Sequence, residues 1–341
     1  MPTRPGPLNL MTDVPGLRVG QAHDENVRTG VTVVLAEQPA VAACDVRGGG
    51  PGTRETDLLA ADTLVEAVDA IVLSGGSVYG LGAADGVAAV LGAQGRGFGF
   101  GQPGVPPAPI VPAAILFDLA NGGDKRWGEQ PPYAALGRAA LASAGAAFTL
   151  GTAGAGYGAR AGQLHGGTGS ASLIGPEGVT VGALACVNSF GSVVMPGDRA
   201  FWAWPFEVGG EFGGVRPREG RTEPDPDDWG LAKANPSLRT NTTVAVVATD
   251  AALTPGQCRR LAIMAQDGLS RAIRPAHAPF DGDVVFALST GARPLPEPAA
   301  FSLAVLGERA ATCLSRAIAR GVHAATGWPG SGVRLWRDLS P

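Results

Sequence analysis

A buried-strand pattern that begins on two hydroxyl residues constrains the fold of this chain more than any other stretch. Residues 241–250 read Asn-Thr-Thr-Val-Ala-Val-Val-Ala-Thr-Asp, and this apolar run predicts a strand covered on both faces. The residues before it, 207–240, contain few apolar side chains and predict an exposed, mobile connection. Because the strand needs partners that precede this connection, we expect one interwoven domain over residues 1–341 instead of two separate domains.

The composition favours a layered fold with closely packed elements. Hydrophobic residues make up 45% of the 341, but aromatic residues only 6%, and there are 52 glycines. A core of Ala, Val, Leu and Gly favours helices packed closely on sheets over a barrel filled with aromatic side chains. Charged residues, at 16%, fall below the usual quarter of a globular protein. We therefore expect part of the surface to be buried between the subunits of a homo-oligomer.

Charge, cysteine and histidine patterns narrow the class of function. A net charge of −4 with no basic block argues against a nucleic-acid partner. The chain shows neither an apolar segment typical of an export signal nor an apolar run long enough to span a membrane. No histidine spacing is typical of a metal site, so we expect no metal and no cofactor. The widely spaced cysteines predict reduced thiols and a cytoplasmic location; they are Cys44, Cys186, Cys258 and Cys313.

Apolar periodicity and turn residues predict the other elements. Short apolar runs bounded by Gly, Pro or Asn predict strands, and apolar positions at helical spacing predict helices. Thr254 and Gln257 form a capping-box pattern, with Pro255 at the first helical position. Strands are expected at 17–35 (as a hairpin), 41–46, 70–73, 110–119, 179–187 and 284–288, and helices at 78–91, 131–148, 254–273 and 299–326.

The junction between Asn241 and Thr242 is the best candidate for catalytic chemistry. The chain has no G-x-S-x-G pattern for a Ser-His-Asp site, and no cysteine lies in a turn that suggests Cys-His catalysis. An N-terminal Ser, Thr or Cys needs no histidine, because its own α-amine, with a pKa of about 7.7–8.0, serves as general base. Cutting the chain before Thr242 would create such a nucleophile and leave residues 1–241 and 242–341.

Simpler interpretations of the same residues remain open. Thr242 and Thr243 also suit the start of a strand, where Thr is common. The sequence Asn-Thr-Thr at this position also spells a glycosylation site, although no export signal accompanies it. Asn188 follows a predicted strand in an Asn-Ser-x-Gly sequence, so it either donates its amide into a site or is a turn residue.

Several segments together resemble the DmpA-type family of autoprocessed L-aminopeptidase/D-esterases, β-aminopeptidases and nylon-oligomer hydrolases. Each segment is short, but they occur in the family's order and extend from about residue 13 to residue 290. The segments are Arg47-Gly-Gly-Gly-Pro-Gly52, Leu73-Ser-Gly-Gly-Ser77, Ile110-Val-Pro-Ala-Ala-Ile-Leu-Phe-Asp118, Gly154-Ala-Gly156, Val187-Asn-Ser-Phe-Gly191, Asn241-Thr-Thr243 and Pro279-Phe-Asp-Gly-Asp283.

The resemblance implies a fold and a set of site residues. The fold is a four-layer α/β/β/α sandwich of the DmpA/ornithine-acetyltransferase-like type, in an N-terminal-nucleophile hydrolase without a cofactor. Thr242 matches the nucleophile and Asn241 the residue before the autocleavage site. Asn188 matches the asparagine that polarises the scissile carbonyl in the oxyanion hole. Asp281 and Asp283 match the acidic pair that orients and tunes the nucleophile, although Asp-Gly-Asp alone would equally indicate a turn.

The resemblance also implies the substrates and assembly of the protein, with two departures. Small peptides, amides or aminoacyl esters are the implied substrates, and a tetramer of cleaved protomers is the implied assembly. Phe117 replaces a tyrosine of the nylon hydrolases and Gln163 replaces a lysine, which makes cleavage of long synthetic amides and fast self-processing less expected. The position of Trp202 and Trp204 before the polar segment suggests that they line the pocket. The alternatives are an acyltransferase resembling ornithine acetyltransferase and an inactive, uncut binding relative.

Overall fold

The computed structural model describes residues 2–99, 101–218, 225–234 and 241–340. The strands are β1 (Leu17–Asp24), β2 (Thr29–Val46), β3 (Thr53–Arg54), β4 (Ala67–Ser74), β5 (Ala113–Ile115), β6 (Arg160–Ala161), β7 (Leu164–His165), β8 (Gly167–Ile174), β9 (Thr180–Asn188), β10 (Thr242–Ala251) and β11 (Val284–Arg293). The helices are α1 (Ala83–Ala93), α2 (Tyr133–Ala142), α3 (Pro255–Ala265), α4 (Asp267–Ala272) and α5 (Ala299–His323). Short 3-10 turns occupy Met11–Asp13, Asp57–Leu59, Ser77–Gly82, Gly154–Gly156, Trp204–Phe206 and Trp336–Asp338.

Strand β2 connects two layers of sheet. The hydrogen-bonded order is β3-β5-β4-β2-β11-β10-β9-β8, with β1 also paired to β2. The first half of β2 pairs with β1 and β4, and its second half, Val41–Val46, pairs with β11. A register shift between Leu35 and Ala40 separates the two halves of the β4 pairing. One long strand therefore belongs to both layers, which explains how an early segment provides a partner for the late strand β11.

Three hydrophobic clusters show that the two sheet layers lie between two helical layers. In one cluster, side chains of β2, β4 and β5 pack against α1 and α2. In a second, side chains of β8–β11 pack against α3, α4 and α5. In the third, the two halves of the sheet pack on each other, with Ile71 and Leu73 on one side and Leu184 and Phe286 on the other. The fold is therefore the α/β/β/α arrangement that the resemblance implied.

Strand β10 lies in the middle of this stack, as its uniformly apolar sequence predicted. Successive strand side chains point to opposite faces, so Val244 and Val246 pack between the two sheet layers while Ala245 and Val247 pack beneath the helices. Every residue of β10 is buried. β10 runs antiparallel to β9 and parallel to β11, and these two neighbours supply the other parts of the site.

Several predicted elements are confirmed, and others have different limits. The segment expected as a strand at 110–119 forms only the three residues of β5, because Pro109 and Pro112 have no N–H to donate to a ladder. The helix expected at 78–91 begins as a 3-10 turn after Gly76, whose φ is +86°. The helix expected at 254–273 is divided at Gln266, a buried residue whose side-chain amide donates to the carbonyl of Asp45. The capping box of Thr254 is present as expected.

The polar segment at 207–240 is anchored to the rest of the fold at several points where it is described. Most of its residues in the described ranges are exposed, but Phe212 is buried and packs against Phe201. Lys233 is hydrogen-bonded through its backbone N–H to the carbonyl of Phe190. Residues 219–224 and 235–240 of the predicted mobile segment lie outside the described residues. None of the helices in the described ranges combines the length and apolar content needed to span a bilayer.

Candidate active site

Thr242 lies at the start of β10, opposite the last residue of β9. Its Cα partner across the antiparallel ladder is Asn188, so two residues 54 positions apart in sequence become neighbours. Thr242 is 4% exposed, and its hydroxyl donates a hydrogen bond to the carbonyl oxygen of Asn241. The hydroxyl is therefore held against the same peptide group that the sequence analysis predicts it to attack.

A second donor contacts the carbonyl oxygen of Asn241. The backbone N–H of Gly282 lies 2.9 Å from it, because Asn241 and Asp281 extend the parallel pairing of β10 with β11 by one bridge. A backbone N–H at this distance is the kind of donor that stabilises an oxyanion when a carbonyl is attacked. In the sequence analysis Gly282 was only the middle residue of an Asp-Gly-Asp pattern, and this donor was missed.

Glycine is required at position 282 by its surroundings. A Cβ placed there would lie 2.6 Å from the Thr242 hydroxyl oxygen and 3.0 Å from the carbonyl oxygen of Gly50. The glycine tract that ends the first layer packs on the same loop: Gly50 N–H donates to the Asp281 carbonyl at 2.8 Å. A Cβ on Gly48 would lie 2.4 Å from that carbonyl oxygen. The tract therefore serves close backbone approach and not flexibility.

The carboxylates of Asp281 and Asp283 are both buried, and backbone N–H groups hold them. Asp281 accepts from the N–H of Ala278 at 2.9 Å and from that of Phe190 at 3.4 Å. Asp283 accepts from the N–H of Thr243 at 2.7 Å and from Nδ1 of His277 at 2.9 Å. In the intact chain the acidic pair thus positions the backbone around Thr242, while the hydroxyl itself donates to the preceding carbonyl.

Burial also changes the charge balance of the acidic pair. Removal from water, reinforced by the nearby negative charge of Asp283, raises the pKa of the Asp281 carboxyl above its usual range. The ammonium group of Lys233 acts in the opposite direction. Asp281 is therefore a carboxyl group whose protonation responds to the other charges of the site.

The side-chain amide of Asn188 bridges two walls of a cavity. Its Nδ2 donates to the carbonyl of Phe117 at 3.0 Å, and its Oδ1 accepts from the N–H of Arg160 at 2.8 Å. Asn188 is 2% exposed and also lines the cavity. The structure thus places the expected oxyanion residue beside Thr242, with its amide held at the base of the space that a substrate would enter.

The cavity has a volume of about 430 Å³ and a mixed lining. Phe117 and Gln163, the two departures from the nylon hydrolases, both contribute to its walls, and Nε2 of Gln163 donates to the carbonyl of Ala232 at 2.9 Å. The lining residues in the described ranges are Phe117, Asp118, Ala120, Asn121, Gly158, Arg160, Gly162, Gln163, Asn188, Lys233 and Ala234. A space of this size suits a short peptide or small amide.

The expectation that Trp202 and Trp204 line the pocket is wrong. The guanidinium of Arg274 stacks over the ring of Trp202, with 4.1 Å between its central carbon and the ring centroid. The guanidinium of Arg216 lies over the ring of Trp204. Both tryptophan rings therefore pack against arginine side chains, and neither ring belongs to the described cavity wall. Their place in the sequence carried no information about which elements would enclose the site.

Buried Asp118 organises the cavity wall next to Phe117. Its carboxylate accepts from the N–H of Gly76 at 2.7 Å and from the hydroxyl of Thr29 at 2.6 Å. A Cβ on Gly75 would nearly coincide with this carboxylate, which accounts for the Gly-Gly pair after β4. Burial raises the pKa of Asp118 to about 6, and the two hydrogen bonds lower it. This role was not recognised from the sequence.

Lys233 is the charged group of the site that the sequence analysis missed. Its Nζ donates to the backbone carbonyl of Asn188 at 3.3 Å, and it lines the cavity. Burial, followed by repulsion from Arg160, lowers its pKa to about 7, while Asp281 opposes the change. One signal was present in the sequence: only two of the 26 Lys and Arg residues are lysines. In the described ranges, no three His, Cys, Asp or Glu side chains are placed to hold a metal ion.

Solved structures show which class of fold this chain has. A β-aminopeptidase of Burkholderia sp. superimposes with a TM-score of 0.71 at 24% identity, covering 97% of this chain and 91% of that one. An L-aminopeptidase D-Ala-esterase/amidase from Ochrobactrum anthropi, described as a variant of the N-terminal-nucleophile hydrolase fold, superimposes with a TM-score of 0.66 at 21% identity, covering 94% and 88%. The fold is that of the N-terminal-nucleophile hydrolases.

Sequence comparison identifies the family. The chain belongs to peptidase family S58, whose model matches residues 9–334. An uncharacterized aminopeptidase of Mycobacterium tuberculosis is 46% identical over 98% of both chains. A 6-aminohexanoate-oligomer endohydrolase of Kocuria sp. is 31% identical over 85% of this chain and 78% of its own. The DmpA-type resemblance is therefore confirmed, and the protein is an enzyme of the peptidase and amidohydrolase class.

Proposed function

We propose that this protein is a self-processing aminopeptidase that cuts its own Asn241–Thr242 bond and then uses Thr242 as the nucleophile. The observation that carries the proposal is the pair of donors on one carbonyl oxygen. The Thr242 hydroxyl and the Gly282 N–H both contact the oxygen of Asn241. The first group is the attacking one, and the second stabilises the charge that the attack creates.

Self-cleavage then follows from this arrangement. Oγ of Thr242 loses its proton and attacks the carbonyl carbon of Asn241, and the oxygen of that carbonyl becomes an oxyanion beside the Gly282 N–H. Collapse breaks the C–N bond, and the departing nitrogen takes up a proton and becomes the α-amine of Thr242. Water hydrolyses the resulting ester and releases residues 1–241 from residues 242–341. Asp283 accepts a hydrogen bond from the N–H of Thr243 and so keeps the start of β10 in place during the cut.

Peptide hydrolysis by the cut enzyme repeats the same chemistry on an external bond. The α-amine of Thr242 accepts the hydroxyl proton and later returns it to the leaving amine, as an N-terminal nucleophile requires. The substrate's acyl carbon becomes bonded to Oγ, and water completes the cycle. Asn188, on the neighbouring strand and in the cavity wall, is the expected donor to the substrate's carbonyl oxygen.

Small peptides, amides or aminoacyl esters with a free amino end are the proposed substrates. This proposal is supported by the aminopeptidase names of the Mycobacterium relatives and by a cavity of about 430 Å³. The Kocuria relative is named for hydrolysis of 6-aminohexanoate oligomers. Because Phe117 and Gln163 provide neither a phenol nor an ammonium, we propose that small peptides are better substrates than such oligomers. We further propose that the cleaved protomers form a tetramer, which the low charged fraction supports and sedimentation can test. We also propose a cytoplasmic location, which the widely spaced cysteines support.

Intact mass combined with N-terminal sequencing tests the proposal. We expect two pieces, the smaller beginning Thr-Thr-Val-Ala-Val-Val, and release of amino acids from short peptides. Thr242→Ala should remain one chain and hydrolyse nothing. The matched control is Thr243→Val, because the Thr243 hydroxyl is buried without a hydrogen-bond partner among the described residues. A wild-type chain that stays uncut and inert would contradict the proposal. Transfer of the acyl group to an added amine in preference to water would indicate an acyltransferase instead.

A further inference from the structure

Lys233 occupies an unusual place for a lysine of this chain. The sequence uses arginine for all but two of its 26 basic residues, yet a lysine stands in the cavity wall. Its backbone N–H donates to the carbonyl of Phe190 at 3.0 Å, and its Nζ donates to the carbonyl of Asn188 at 3.3 Å. Both contacts lie at the end of β9. The lysine is therefore held at two points against the strand that pairs with Thr242.

Self-cleavage requires a base that the finished enzyme does not need. In the uncut chain the nitrogen of Thr242 is part of a peptide bond, so it cannot accept the proton of its own hydroxyl. Both carboxylates of the acidic pair accept backbone N–H groups, and Nδ1 of His277 is engaged with Asp283. Guanidinium groups stay protonated in proteins. A neutral amine at the end of β9 is a further group that can accept the proton during the cut.

The ionisation of Lys233 suits it to accept a proton at neutral pH. An ordinary lysine is almost entirely protonated at pH 7, but here burial and the neighbouring Arg160 lower the pKa to about 7. Asp281 is the group that favours the charged form. Burial and Arg160 therefore favour the neutral amine near neutral pH, which is the form that general base catalysis needs.

We propose that Lys233 is the proton acceptor for self-cleavage of the Asn241–Thr242 bond. Nζ of Lys233 donates to the carbonyl of Asn188, the residue directly opposite Thr242 in the β9–β10 ladder. Paired Cα atoms in such a ladder are about 4.5–5.5 Å apart. From there the neutral amine takes the proton of the Thr242 hydroxyl directly or through one water. This inference rests on the proposed self-processing and names the base that starts it.

The proton balance closes within these groups. The proton leaves Oγ of Thr242 for Nζ of Lys233, and the new C–O bond forms at the carbonyl carbon of Asn241. When the C–N bond breaks, the ammonium of Lys233 returns the proton to the departing nitrogen. The cut thus creates the α-amine of Thr242 as it ends, and that amine becomes the base for later substrates. Lys233 is therefore needed for the cut far more than for turnover.

Rates of chain cleavage in full-length variants test the inference. Lys233→Gln and Lys233→Met remove the base, and Lys233→Arg keeps the positive charge without a usable lone pair. The fraction cut is followed by intact mass from pH 6 to pH 9, after each variant is released from denaturant or from synthesis. In the wild type we expect the rate to rise with pH through a midpoint near 7. In all three variants we expect cleavage to be at least about 100-fold slower and the midpoint to be lost.

Two rescue experiments separate a chemical role from a structural one. Gln163 bonds the carbonyl of Ala232, next to Lys233, so Gln163→Lys places an amine on the same wall. Combined with Lys233→Gln, it should restore a large part of the cleavage rate. Added ethylamine should likewise accelerate cleavage of Lys233→Ala, with a pH profile that follows the amine used. The control is Lys125→Gln, the only other lysine, whose Nζ bonds the carbonyl of Val27; it should be cut at the wild-type rate.

The outcomes distinguish this inference from the proposed function. Suppose that the wild type is cut, and that Lys233→Gln and Lys233→Met are cut at rates within threefold of the wild-type rate and with the same pH profile. Lys233 is then not the base, although the proposed self-processing still holds. The inference would also be overturned if Gln163→Lys did not accelerate a slow Lys233→Gln variant and ethylamine did not accelerate a slow Lys233→Ala variant, since a purely structural defect gives that result. A wild type that is never cut removes the proposed function itself.

Discussion

The backbone nitrogen of Gly282 lies 2.9 Å from the carbonyl oxygen of Asn241, across the first bridge of the β10–β11 pairing. This contact joins two segments 41 residues apart in sequence and fixes the orientation of the peptide that precedes Thr242. The Thr242 hydroxyl donates to the same oxygen. The peptide is thus held in one position by the strand on which the proposed nucleophile lies and by the loop that carries the acidic pair.

Replacing Gly282 by alanine should slow self-cleavage. The new Cβ would lie 2.6 Å from the Thr242 hydroxyl oxygen, so either the hydroxyl or the loop must move away from its present place. Loss of one oxyanion donor typically reduces a rate by about 100- to 1000-fold, and we expect a fall of at least tenfold in the rate of chain cleavage measured by intact mass. Gly256→Ala is the control, because a Cβ there meets nothing within 4 Å. Equal rates for the two variants would show that the contact is unimportant.

Asp283→Asn should destabilise the region around Thr243. The carboxylate accepts from the Thr243 N–H at 2.7 Å and from both the N–H and Nδ1 of His277. An amide has only one oxygen and brings an NH₂ group against one of these donors. We expect a loss of about 1–3 kcal/mol in the free energy of unfolding by urea, measured in the uncut Thr242→Ala chain. Asp62→Asn, at an exposed site, should change it by less than about 0.5 kcal/mol.

Arg316→Met should weaken the hold of the C-terminal piece on the rest of the chain. Arg316 of α5 is fully buried and makes an ion pair of 2.6 Å with Glu211, which lies before the predicted cut. The Glu211 carboxylate keeps Arg320 as a second partner at 3.4 Å, but the buried carbonyl of Ser172 loses its donor. We therefore expect a loss of about 1–3 kcal/mol. Arg126→Met, at an exposed pair, should cost less than about 1 kcal/mol.

The double variant Glu211→Gln/Arg316→Met tests how much the charge of Glu211 contributes. It should be less stable than Arg316→Met alone, because it leaves Arg320, whose Nε lies 3.4 Å from the Glu211 carboxylate, without that partner. Chemical unfolding of the two uncut chains, and dissociation of the cut pieces, would measure the difference. If the double variant is as unstable as the sum of the single ones, packing of the long arginine side chain matters more than its charge.

The buried amine of Lys233 should make stability depend on pH in a defined direction. Its pKa is about 7 in the folded chain and 10.5 as the usual value, so the unfolded chain binds more protons between these limits. Stability contributed by this group therefore rises with pH from about 7 to about 10 and is lowest below pH 7. Lys233→Met in a Thr242→Ala background should be stabilising at pH 6. The advantage should shrink by roughly 1.4 kcal/mol per pH unit across that window.

Thermal unfolding of the two uncut chains from pH 6 to pH 10 measures this dependence. Using the Thr242→Ala background keeps cleavage from contributing to the comparison. Arg138→Met serves as the control, since it removes a positive charge at an exposed position. If the difference in stability between the Thr242→Ala chain and its Lys233→Met variant stays constant over the whole pH range, the amine keeps an ordinary pKa.

The sequence predicted those elements whose own side chains specify them. The apolar residues of β10 and β11, the capping box of α3 and the apolar stripe of α5 all gave the right element, although β11 continues to residue 293, beyond its predicted end at 288. The failures have a common cause. β5 is short because the neighbouring Pro109 and Pro112 cannot donate to a ladder. The helix predicted at 254–273 is interrupted at buried Gln266, whose side chain donates to the carbonyl of Asp45 in another layer. Contacts between layers decided these points, and local patterns do not record them.

The sequence by itself determined the family and the layered α/β fold, and it predicted the junction at Asn241 and Thr242, because these depend on residue types and their order. Only the tertiary structure decided that Lys233 lies against Asn188, that the Gly282 N–H contacts the Asn241 carbonyl, and that Trp202 faces Arg274 and not the cavity. These are relationships between segments tens of residues apart. Strand pairing and burial bring such segments together, and they also determine the pKa of each group that the site encloses.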